Sequence, residues 1–454
     1  MSTDDGLRAS VEKMEREGVP DAAVATFRLY YEQLAAGESG MVPEDAIEPV
    51  DELQDADALP DADAPLDRAV VIKLNGGLGT SMGMSRAKSL LEVKDGMSFL
   101  DVIARQVLAL REASGARLPL VLMNSFYTQA DSLALLERYD ELAADVPFDF
   151  VQHKEPKLLV DGLAPVEWPP DPTLEWCPPG HGDIYPALLT SGMLATLLEH
   201  GYRYAFMSNS DNLGAVLEPR ILAWMAAEKL PYLCEVTERT EADSKGGHIA
   251  KLKTTGGLIL RETAQTPDED MDAFTDVDRH PYFHVNNLWI DLRALDALLR
   301  ERDGVMGLPM IVNRKTVDPS DSGTPAVYQL ETAMGAAIGV FSGARAVRVP
   351  RSRFVPVKQT SDLLVLRSDA YVLGSGARIE LVEGRDTPPL VELDDAHYKL
   401  LADFDDRFPA GPPSLAGADK LTVAGDVTFG RDVMVRGTVA LQGPEQVQDG
   451  AELA

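Results

Sequence analysis

A strand that runs directly into a glycine-rich loop constrains the fold of this chain more than any other stretch. Residues 69–93 read AVVIKLNGGLGTSMGMSRAKSLLEV. The part from Ala69 to Leu74 is rich in branched apolar residues, which favours a buried strand. Four glycines follow within the next nine residues, and glycine lets a ligand approach main-chain N–H groups closely. Because Lys88 lies beyond the loop, the stretch predicts a cradle for nucleotide phosphates.

The spacing of this loop excludes two common phosphate-binding motifs. A Walker A loop places Gly-Lys-Ser/Thr in direct succession, whereas Lys88 lies five residues after Gly83. The dinucleotide fingerprint has one residue fewer between its second and third glycines than this loop has between Gly79 and Gly83. An ordinary turn between a strand and a helix is the structural alternative, but the polar Asn75 and the isolated lysine favour a binding loop.

Composition narrows the class of protein. The chain has 454 residues, 45% of them hydrophobic, which is enough to bury a large core and indicates two or three domains. The formal net charge of -31 argues against nucleic acid or an anionic membrane as a partner. The sequence has no N-terminal signal pattern and no run of about 18 apolar residues, so we expect neither secretion by that route nor a membrane span. Two cysteines, Cys177 and Cys234, cannot form a disulfide framework, so we expect a reducing cytoplasm.

The chain before the glycine-rich loop divides into two parts. Residues 1–38 carry apolar side chains at three- and four-residue steps, which predicts helices. Residues 41–67 hold ten acidic residues, four prolines and no lysine or arginine, and this composition favours an extended, solvated linker over a packed element. We therefore predict an N-terminal helical segment and acidic linker over residues 1–67, with an acidic regulatory segment as the alternative.

Strands and helices alternate from residue 69 to about residue 373. Apolar patterning predicts strands at 118–123, 148–152 and 204–208 and helices at 99–113, 131–139, 184–200 and 329–337. Such alternation is typical of an α/β fold with a mainly parallel sheet covered by helices on both faces. Ligands of such sheets bind beyond the carboxyl ends of the strands, so functional residues are expected there.

Two polar segments follow predicted strands. Gln152 ends the strand at 148–152, and a glutamine offers both a donor and an acceptor to the imide edge of uracil; a solvated loop residue is the alternative. In the segment PPGHGDIY, at residues 178–185, we expect His181 to donate a hydrogen bond to substrate, because a phosphate nucleophile is already deprotonated at neutral pH. Asp183 is predicted to cap the helix that follows.

A third strand end carries the segment MSNSDNLG, at residues 207–214. Mg²⁺ commonly takes one or two carboxylates, and water and substrate phosphates complete its shell. Asp211 is therefore predicted to hold Mg²⁺ beside a triphosphate, with a simple polar turn as the alternative.

Later segments contribute amides and cations. Asn286 and Asn287 can hydrogen-bond neutral sugar hydroxyls without requiring charge, or they are buried turn amides. A polar, glycine-containing turn at 239–247 is expected to shape a ligand pocket. Lys358 lies just before a predicted helix that Thr360 or Ser361 can cap, where its amine can reach an α-phosphate; a solvated surface lysine is the alternative.

Apolar residues recur every six positions beyond about residue 374. One series is Val423, Phe429, Val435 and Leu441, and the other is Val427, Val433 and Val439. Two phased six-residue series predict a parallel β-helix, and a pair of plain hairpins is the alternative. About one coil is expected, and it must pack on the main domain or on another subunit. Beyond Leu441 we expect an acidic tail.

The string LNGGLGTSMGMSRAKS resembles the nucleotide-binding loop of the eukaryotic-type UDP-sugar pyrophosphorylase family, most closely its UTP–glucose-1-phosphate uridylyltransferase branch. The segments around Gln152, His181, Asp211 and Lys358 also resemble that family, in the same order along the chain. The family's loop usually ends Gly-Pro-Lys-Ser, whereas this chain has Arg-Ala-Lys-Ser at residues 86–89. The lysine stays in register, and the role of Arg86 is open.

The resemblance implies a fold and a division of the chain. The implied fold is α/β: a Rossmann-like nucleotidyltransferase (GT-A-like) mixed sheet flanked by helices, with a small C-terminal left-handed parallel β-helix. The catalytic domain is expected over residues 68–373 and the β-helix domain over residues 374–454. Whether the protein is a monomer or a homo-oligomer is left open.

The resemblance also implies a reaction, in which UTP and α-D-glucose 1-phosphate give UDP-glucose and pyrophosphate. Lys358 and Lys88 are the implied catalytic lysines, and Asp211 is the implied Mg²⁺ ligand. The implied nucleotide-binding residues are Leu74, Asn75, Gly76, Gly77, Lys88, Gln152, Gly180, Asp211 and Lys358. The implied sugar-phosphate-binding residues are Gly76, Gly77, His181, Asn209, Ser210, Asp211, Asn286 and Asn287.

Three other functions stay open at this point. A UDP-N-acetylhexosamine pyrophosphorylase uses a similar loop but needs more room near the 2-position of the sugar, and a broader UDP-sugar specificity is a second possibility. The third is a non-catalytic scaffold built on the six-residue repeat. Retention of Lys88, Lys358 and Asp211 argues against the scaffold, because a scaffold requires none of them.

Overall fold

The computed structural model describes residues 3–240, 243 and 246–454. A mixed sheet of eleven strands lies at the centre of this described part of the chain. Eight strands follow one another across it, in the order Gln54–Asp55, Arg345–Arg348, Tyr232–Glu238, Tyr282–Asp291, Tyr204–Asn209, Ala69–Asn75, Leu120–Asn124 and Asp149–Val151. Ile47–Glu48, His248–Leu252 and Leu258–Arg261 extend the sheet beside Tyr282–Asp291.

The strand Ala69–Asn75 divides the two layers of the core. Its residues alternate between faces, as any strand's do, so that Val71 packs in one hydrophobic cluster and Ile72 in another. The first cluster takes in the helices Phe99–Ser114, Gln129–Leu136, Pro219–Glu228 and Thr360–Arg367. The second takes in Ile184–Thr190, Met193–Glu199 and Leu292–Glu301. Because both faces are buried, the strand reads as a continuous apolar run rather than an alternating one.

The direction of the strands brings the candidate residues together. Ala69–Asn75 runs parallel to both Tyr204–Asn209 and Leu120–Asn124, and the latter runs parallel to Asp149–Val151. Tyr282–Asp291 is antiparallel to both of its neighbours in the row. The carboxyl ends of four adjacent strands therefore lie at one edge of the sheet, where an α/β protein binds its ligands.

The helix predicted at 99–113 is confirmed as Phe99–Ser114. Ser98 and Asp101 form a capping box at its start, and Gly115 ends it in the left-handed conformation, with φ 71°. The single helix predicted at 184–200 is wrong, because Gly192 adopts φ 77° and separates two helices. The helix predicted at 329–337 is also wrong: a strand ends at Thr332 and a 3₁₀ turn, Met334–Gly339, follows.

The N-terminal helices predicted from the apolar spacing are confirmed as Thr3–Arg16 and Asp21–Ala35. Phe27 and Tyr31 are almost completely buried, and the helices pack against Leu158, Met310 and Leu330. These two helices therefore cover a smaller sheet made of Met310–Thr316, Ala326–Thr332 and Leu158–Leu159.

The acidic segment at 41–67 is packed, contrary to the prediction of a solvated linker. Ile47 and Val50 are buried, and Gln54–Asp55 is a strand at the end of the row in the central sheet. Two carboxylates of the segment pair with arginines of the main fold, Glu44 with Arg261 and Asp55 with Arg348. Composition missed this arrangement because the few apolar residues supply the burial while the neutralising cations come from distant positions.

Parallel strands also build the C-terminal part. Leu390–Leu393, Ser414–Ala424, Met434–Gln442 and Glu452–Leu453 form one sheet, and Val427–Phe429 pairs with Glu445–Val447. Most partners lie 18 positions apart, as in Leu421 with Val439 and Phe429 with Val447, whereas Leu390–Leu393 pairs with residues 30 positions ahead of it. The prediction of an acidic tail beyond Leu441 is wrong, because 445–447 and 452–453 are paired strands.

The remaining elements are short. They are the helices Met271–Thr275, Asp395–Tyr398 and Leu401–Arg407 and the strands Glu92–Lys94, Met97–Ser98, Glu155–Pro156, Trp176–Cys177, Tyr371–Leu373 and Ile379–Leu381. Among the residues that the structure describes, no helix is long and apolar enough to cross a membrane.

Candidate active site

A cleft of about 280 Å³ opens at the carboxyl ends of the central strands. Ten of the residues singled out in the sequence line it: Leu74, Gly76, Gly77, Lys88, Gln152, Gly180, His181, Asn209, Ser210 and Asp211. Met123 and Pro178 complete the lining. The site therefore draws on segments that are far apart in the sequence. Most of them meet because four parallel strands end side by side, and the segment 178–181 adds a further wall.

The start of the glycine-rich loop lies close to Gln152. A Cβ atom added to Gly76 would lie 2.8 Å from Oε1 of Gln152, so a side chain there would have to displace the Gln152 amide. The Gln152 main chain is fixed, because its N–H donates to the carbonyl of Asn124 at 2.8 Å. Its side-chain amide has no hydrogen-bond partner among the residues the structure describes, so both the donor and the acceptor are free for a ligand.

Asn75 points away from the cleft. Its Nδ2 donates to Oδ1 of Asn124 and to Oγ of Ser132, both at 2.7 Å, and the side chain is buried. These bonds join the ends of two neighbouring strands. The side chain of Asn75 therefore holds the loop in place from below, and only its main chain is near the cleft.

Lys88 and Asp211 meet across the cleft. Nζ of Lys88 lies 2.7 Å from Oδ2 of Asp211 and also donates to the carbonyl of Val357. The two side chains are 16% and 23% exposed, so a ligand can reach both. The two charged groups predicted to bind phosphate and metal are thus neighbours, each neutralising the other.

His181 enters the cleft in one defined tautomer. The main-chain N–H of Met334 donates to Nδ1 of His181 at 3.0 Å, so Nδ1 is an acceptor and the ring proton lies on Nε2. Burial lowers the pKa of His181 from 6.5 to about 4. The imidazole is therefore neutral at neutral pH and can donate from Nε2, as predicted, but it cannot supply a positive charge.

Asp183 does not cap a helix with its side chain, contrary to the prediction. Its carboxylate accepts from the main-chain N–H of His153 at 2.6 Å and contacts Nδ1 of the same residue at 2.8 Å. Because His153 follows Gln152 and Asp183 follows His181 by two positions, this pair joins two walls of the cleft. The carboxylate is used for joining loops rather than for satisfying a helix end.

Comparison with known proteins decides the family. The model of the UTP–glucose-1-phosphate uridylyltransferase family matches residues 24–436. The chain belongs to this family. A UTP–glucose-1-phosphate uridylyltransferase of Solanum tuberosum is 41% identical over 396 residues, which span 86% of this chain and 80% of the relative. A probable UTP–glucose-1-phosphate uridylyltransferase of Schizosaccharomyces pombe is 41% identical, with 83% of this chain and 73% of the relative covered.

Solved structures agree with this assignment to the uridylyltransferase family. A mutant UDP-glucose pyrophosphorylase from Leishmania major, crystallised in complex with UDP-glucose, is 45% identical with a TM-score of 0.92. The similarity covers 99% of this chain and 98% of that one. A UDP-glucose phosphorylase from Trypanosoma brucei has the same TM-score at 44% identity, with 99% and 98% covered.

Four predicted site residues of this uridylyltransferase family member lie outside the cleft lining: Asn75, Asn286, Asn287 and Lys358. Asn286 is at its edge, because its Nδ2 donates to Oδ1 of Asn209 at 3.0 Å, and it adopts a positive φ of 58°. Asn287 is buried, and its Nδ2 donates to Oε2 of Glu235 at 2.9 Å. The buried-amide alternative thus describes the side chain of Asn287.

Lys358 is exposed, and its Nζ lies 6.0 Å from the ring centroid of Phe354. Burial raises the pKa of the Glu262 carboxyl group, and the positive charge of the nearby Lys358 partly offsets that rise. The following helix is capped by Gln359 and Asp362, not by Thr360 or Ser361 as predicted. Lys358 is therefore free to turn toward a ligand in the cleft.

Sequence reasoning missed two charged groups. Glu262 carried no motif that could have revealed it. Lys73 did carry a signal, because it is a lone cation inside the apolar run AVVIKL; its Nζ donates to Oγ of Ser208 and to the carbonyl of Ala215, both at 2.7 Å. Residues 241, 242, 244 and 245 of the predicted turn at 239–247 lie outside the described residues.

The donor set at Asp211 suits a sparse Mg²⁺ site. Within the described part of the chain, no group of three or more His, Cys, Asp or Glu side chains could hold a metal by itself. Oδ2 of Asp211 pairs with Lys88, and Oδ1 has no hydrogen-bond partner among the described residues. One carboxylate oxygen facing a cleft fits an ion that relies mainly on water and substrate phosphates.

Proposed function

We propose that this chain transfers a uridylyl group from UTP to α-D-glucose 1-phosphate, giving UDP-glucose and pyrophosphate. One observation carries the proposal: an unpartnered Gln152 amide, a neutral His181 and the Lys88–Asp211 pair line a single cleft in a member of the uridylyltransferase family. The Leishmania major relative that holds UDP-glucose supports the same substrate class.

The uracil ring is recognised beside the glycine-rich loop. Gln152 presents a free donor and a free acceptor, which match the N3–H and a carbonyl of the uracil imide edge. Gly76 and Gly77 let the ring and ribose approach the main chain, and Leu74 supplies an apolar contact at the end of its strand. Cytosine reverses the donor and acceptor at that edge, so the same amide favours UTP over CTP only when its orientation is held.

Two lysines neutralise the phosphates. In phosphoryl transfer the protein contributes mainly position and charge compensation. The sugar-phosphate oxygen attacks the α-phosphorus of UTP in line, the bond to the β-phosphate breaks, and pyrophosphate leaves with the electron pair. Lys88, already inside the cleft, binds the phosphate chain, and Lys358 turns in from the edge to meet the α-phosphate and the attacking oxygen.

Asp211 is the residue that would hold Mg²⁺. Bound there, the ion would supply positive charge that offsets the negative charge of the phosphates. With Asp211 engaged by such an ion, the amine of Lys88 would be available to the same phosphates. The pairing seen between these two groups therefore keeps both of them in place until substrate arrives.

The sugar phosphate lies on the opposite wall. His181 donates from Nε2, Gly180 gives main-chain access, and Asn209 and Ser210 offer polar groups beside Asp211. Asn286 supports Asn209 through the hydrogen bond at 3.0 Å. The contribution of Asn287 is indirect, since its amide is committed to Glu235.

We also propose that the C-terminal parallel strands form a left-handed parallel β-helix. The spacing of 18 positions between strand partners is that of three faces with six residues each. We place the start of this C-terminal domain at about residue 374. A cytoplasmic location is supported by Cys177 and Cys234, which are both free thiols in the structure.

The test is pyrophosphate release from UTP and Mg²⁺ with glucose 1-phosphate or N-acetylglucosamine 1-phosphate as acceptor. CTP, ATP and TTP serve as nucleotide controls. We expect UTP with glucose 1-phosphate to be preferred, and Lys358→Met to lower kcat by about 100-fold or more. Activity confined to the N-acetyl sugar would change the substrate, and inactivity with every pair would leave the scaffold function.

A further inference from the structure

A buried ion pair lies directly beneath the segment that carries Lys358. Arg353 donates through Nε to Oε2 of Glu235 at 2.7 Å and through Nη2 to Oε1 at 2.6 Å. The side chains of the two residues are 8% and 0% exposed. Two further donors saturate the carboxylate, Nε1 of Trp289 and Nδ2 of Asn287, both at 2.9 Å.

Such a pair is a costly way to stabilise a core. Desolvating two charges offsets most of their attraction, and apolar residues of equal volume often stabilise a protein as well or better. The arrangement does, however, fix geometry, because a guanidinium held by two parallel hydrogen bonds can lie in only one orientation. The pair is therefore suited to holding the backbone of Arg353 in one place.

That backbone is bound in turn to the loop that carries Asp211. The side chain of Asn212 donates to the carbonyl of Arg353 at 3.1 Å and accepts from the N–H of Val355 at 2.9 Å. The N–H of Val357 donates to the carbonyl of Asp211 at 3.2 Å. Lys358 follows at once, so its position relative to Asp211 is set by this series of bonds.

The guanidinium of Arg353 also holds the later part of the loop that carries Asp211. Nη2 of Arg353 donates to the carbonyl of Val216 at 2.9 Å. Gly214 packs so closely against the Lys358 segment that an added Cβ would lie 2.5 Å from the carbonyl oxygen of Ser352. Neither the segment that carries Lys358 nor the loop that carries Asp211 can shift alone without breaking several of these contacts.

We propose that Glu235, acting through Arg353, is a positioning residue that sets Lys358 against Asp211 for uridylyl transfer. The Glu235 side chain is fully buried, so it is not placed to contact substrate. Lys88 bonds to both sides of the same alignment, since it donates to Asp211 and to the carbonyl of Val357. This inference deepens the proposed function and rests on it for the role of Lys358.

The test is a double-mutant cycle between Arg353→Lys and Lys358→Met. Lysine keeps the charge but loses the two-bond fork. We expect Arg353→Lys to lower kcat about 10-fold or more, with KM for UTP changed by less than about threefold. In the Lys358→Met background the same change should cost less than about threefold, because the group being positioned is absent.

A matched control lies at the other end of the same strands. Arg203 binds Asp291 through Nε at 2.9 Å and Nη2 at 2.8 Å, just before the strand that leads to Asp211. Both Arg203 nitrogens reach the single oxygen Oδ2, and the pair is less buried than Arg353–Glu235. Arg203→Lys removes this arginine–carboxylate contact and should leave kcat within about twofold. Equal losses from Arg353→Lys with and without Lys358, or equal losses from both arginine variants, would overturn the proposal in favour of a purely structural role.

Hydrogen exchange gives a readout that needs no activity. The N–H groups of Val355 and Val357 should exchange about 10-fold or more faster in Arg353→Lys, while the strand Tyr204–Asn209 should keep its wild-type rate. Unchanged exchange at both valines would overturn the proposal. If Arg353→Lys does not fold, Asn287→Ala is held to the same criteria. It keeps the ion pair but removes a donor to Glu235 and to the carbonyl of Arg353, and an acceptor from Asn212.

These outcomes are separate from those of the proposed function. Wild-type protein assayed with UTP and glucose 1-phosphate, and Lys358→Met alone, test the reaction and the lysine. Only the arginine variants and their coupling to Lys358 test the role of Glu235.

Discussion

Nζ of Lys88 lies 2.7 Å from Oδ2 of Asp211, and the pair spans the cleft that four strand ends create. Both side chains keep some exposure, so the pair contributes little to stability, about 0–1 kcal/mol. Under the proposed function, Lys88 and Asp211 exchange each other for a charged substrate when it enters. A variant that removes Lys88 should therefore lose activity without losing much stability.

We expect Lys88→Met to lower kcat/KM for UTP by about 100-fold, as the loss of one charged donor to a developing anion commonly does. The melting temperature should change by no more than a few degrees. The control is Lys420→Met, which removes an exposed pair with Glu392 at 2.9 Å and should alter neither property. A large loss of stability in Lys88→Met, matched by the loss of activity, would contradict the assignment.

Gly76 lies so close to the Gln152 side chain that any side chain at residue 76 must displace it. Because an added Cβ would lie 2.8 Å from Oε1 of Gln152, Gly76→Ala should displace the amide from the uracil edge. We expect KM for UTP to rise about 10-fold and discrimination against CTP to fall, consistent with one or two lost hydrogen bonds.

The control for this mechanism is additivity. Gln152→Ala should show the same change in specificity, and Gly76→Ala added to it should cost little more, since the group being displaced is already gone. Full multiplication of the two effects in the double variant would show that Gly76 acts by some route other than Gln152.

His181 should leave no inflection in the pH profile near 6.5. Burial lowers its pKa to about 4, so the ring is neutral across the range from pH 5.5 to 8 and Nε2 remains a donor. His181→Leu should lower kcat/KM about 10- to 100-fold at every pH in that range, and His181→Gln, which retains an amide donor, should recover part of it. An inflection near pH 6.5 that disappears in His181→Leu would contradict the neutral-donor role.

Lys73 should make stability depend on pH. Burial lowers its pKa from 10.5 to about 7, so between these values the unfolded chain binds more protons than the folded one. Stability from this group therefore rises as pH rises through that window and is smallest below pH 7.

The measurement is chemical denaturation of wild type and Lys73→Met at pH 6, 7.5 and 9. Their difference isolates this lysine from the buried thiols and phenols, which titrate in the same alkaline range. We expect wild type to gain stability relative to Lys73→Met as pH rises. A difference that does not change with pH would mean that Lys73 is not buried in a state that titrates there.

Much of the fold could be predicted from local sequence patterns. The helix Phe99–Ser114 was predictable because its apolar spacing, its Ser98 cap and its terminal Gly115 all indicate the same boundaries. The break at Gly192 was not, since a single glycine inside an apolar run signals a break only when its φ is known.

The candidate site divides in the same way. Gln152 and Asp211 could be found because each lies at the end of a predicted strand, and parallel strands end at one edge. His181 could be found because it lies between two glycines in a turn that leads into a helix. Asn287 could not be separated from Asn286, because neighbouring residues of a strand face opposite sides and the sequence does not say which side holds the cleft. Asp183 was misassigned because its partner, His153, is distant in sequence.

The sequence by itself determined the strand, the glycine-rich loop, the lysines and the family resemblance, because these are short-range patterns. Only the tertiary structure decided that the acidic segment packs against the sheet, that Lys73 is a buried cation and that Glu235 holds Arg353 beneath Lys358. Each of these depends on a partner more than 100 positions away, as Glu235 does on Arg353. Charge pairing and burial are properties of what surrounds a residue in space, and no local pattern records them.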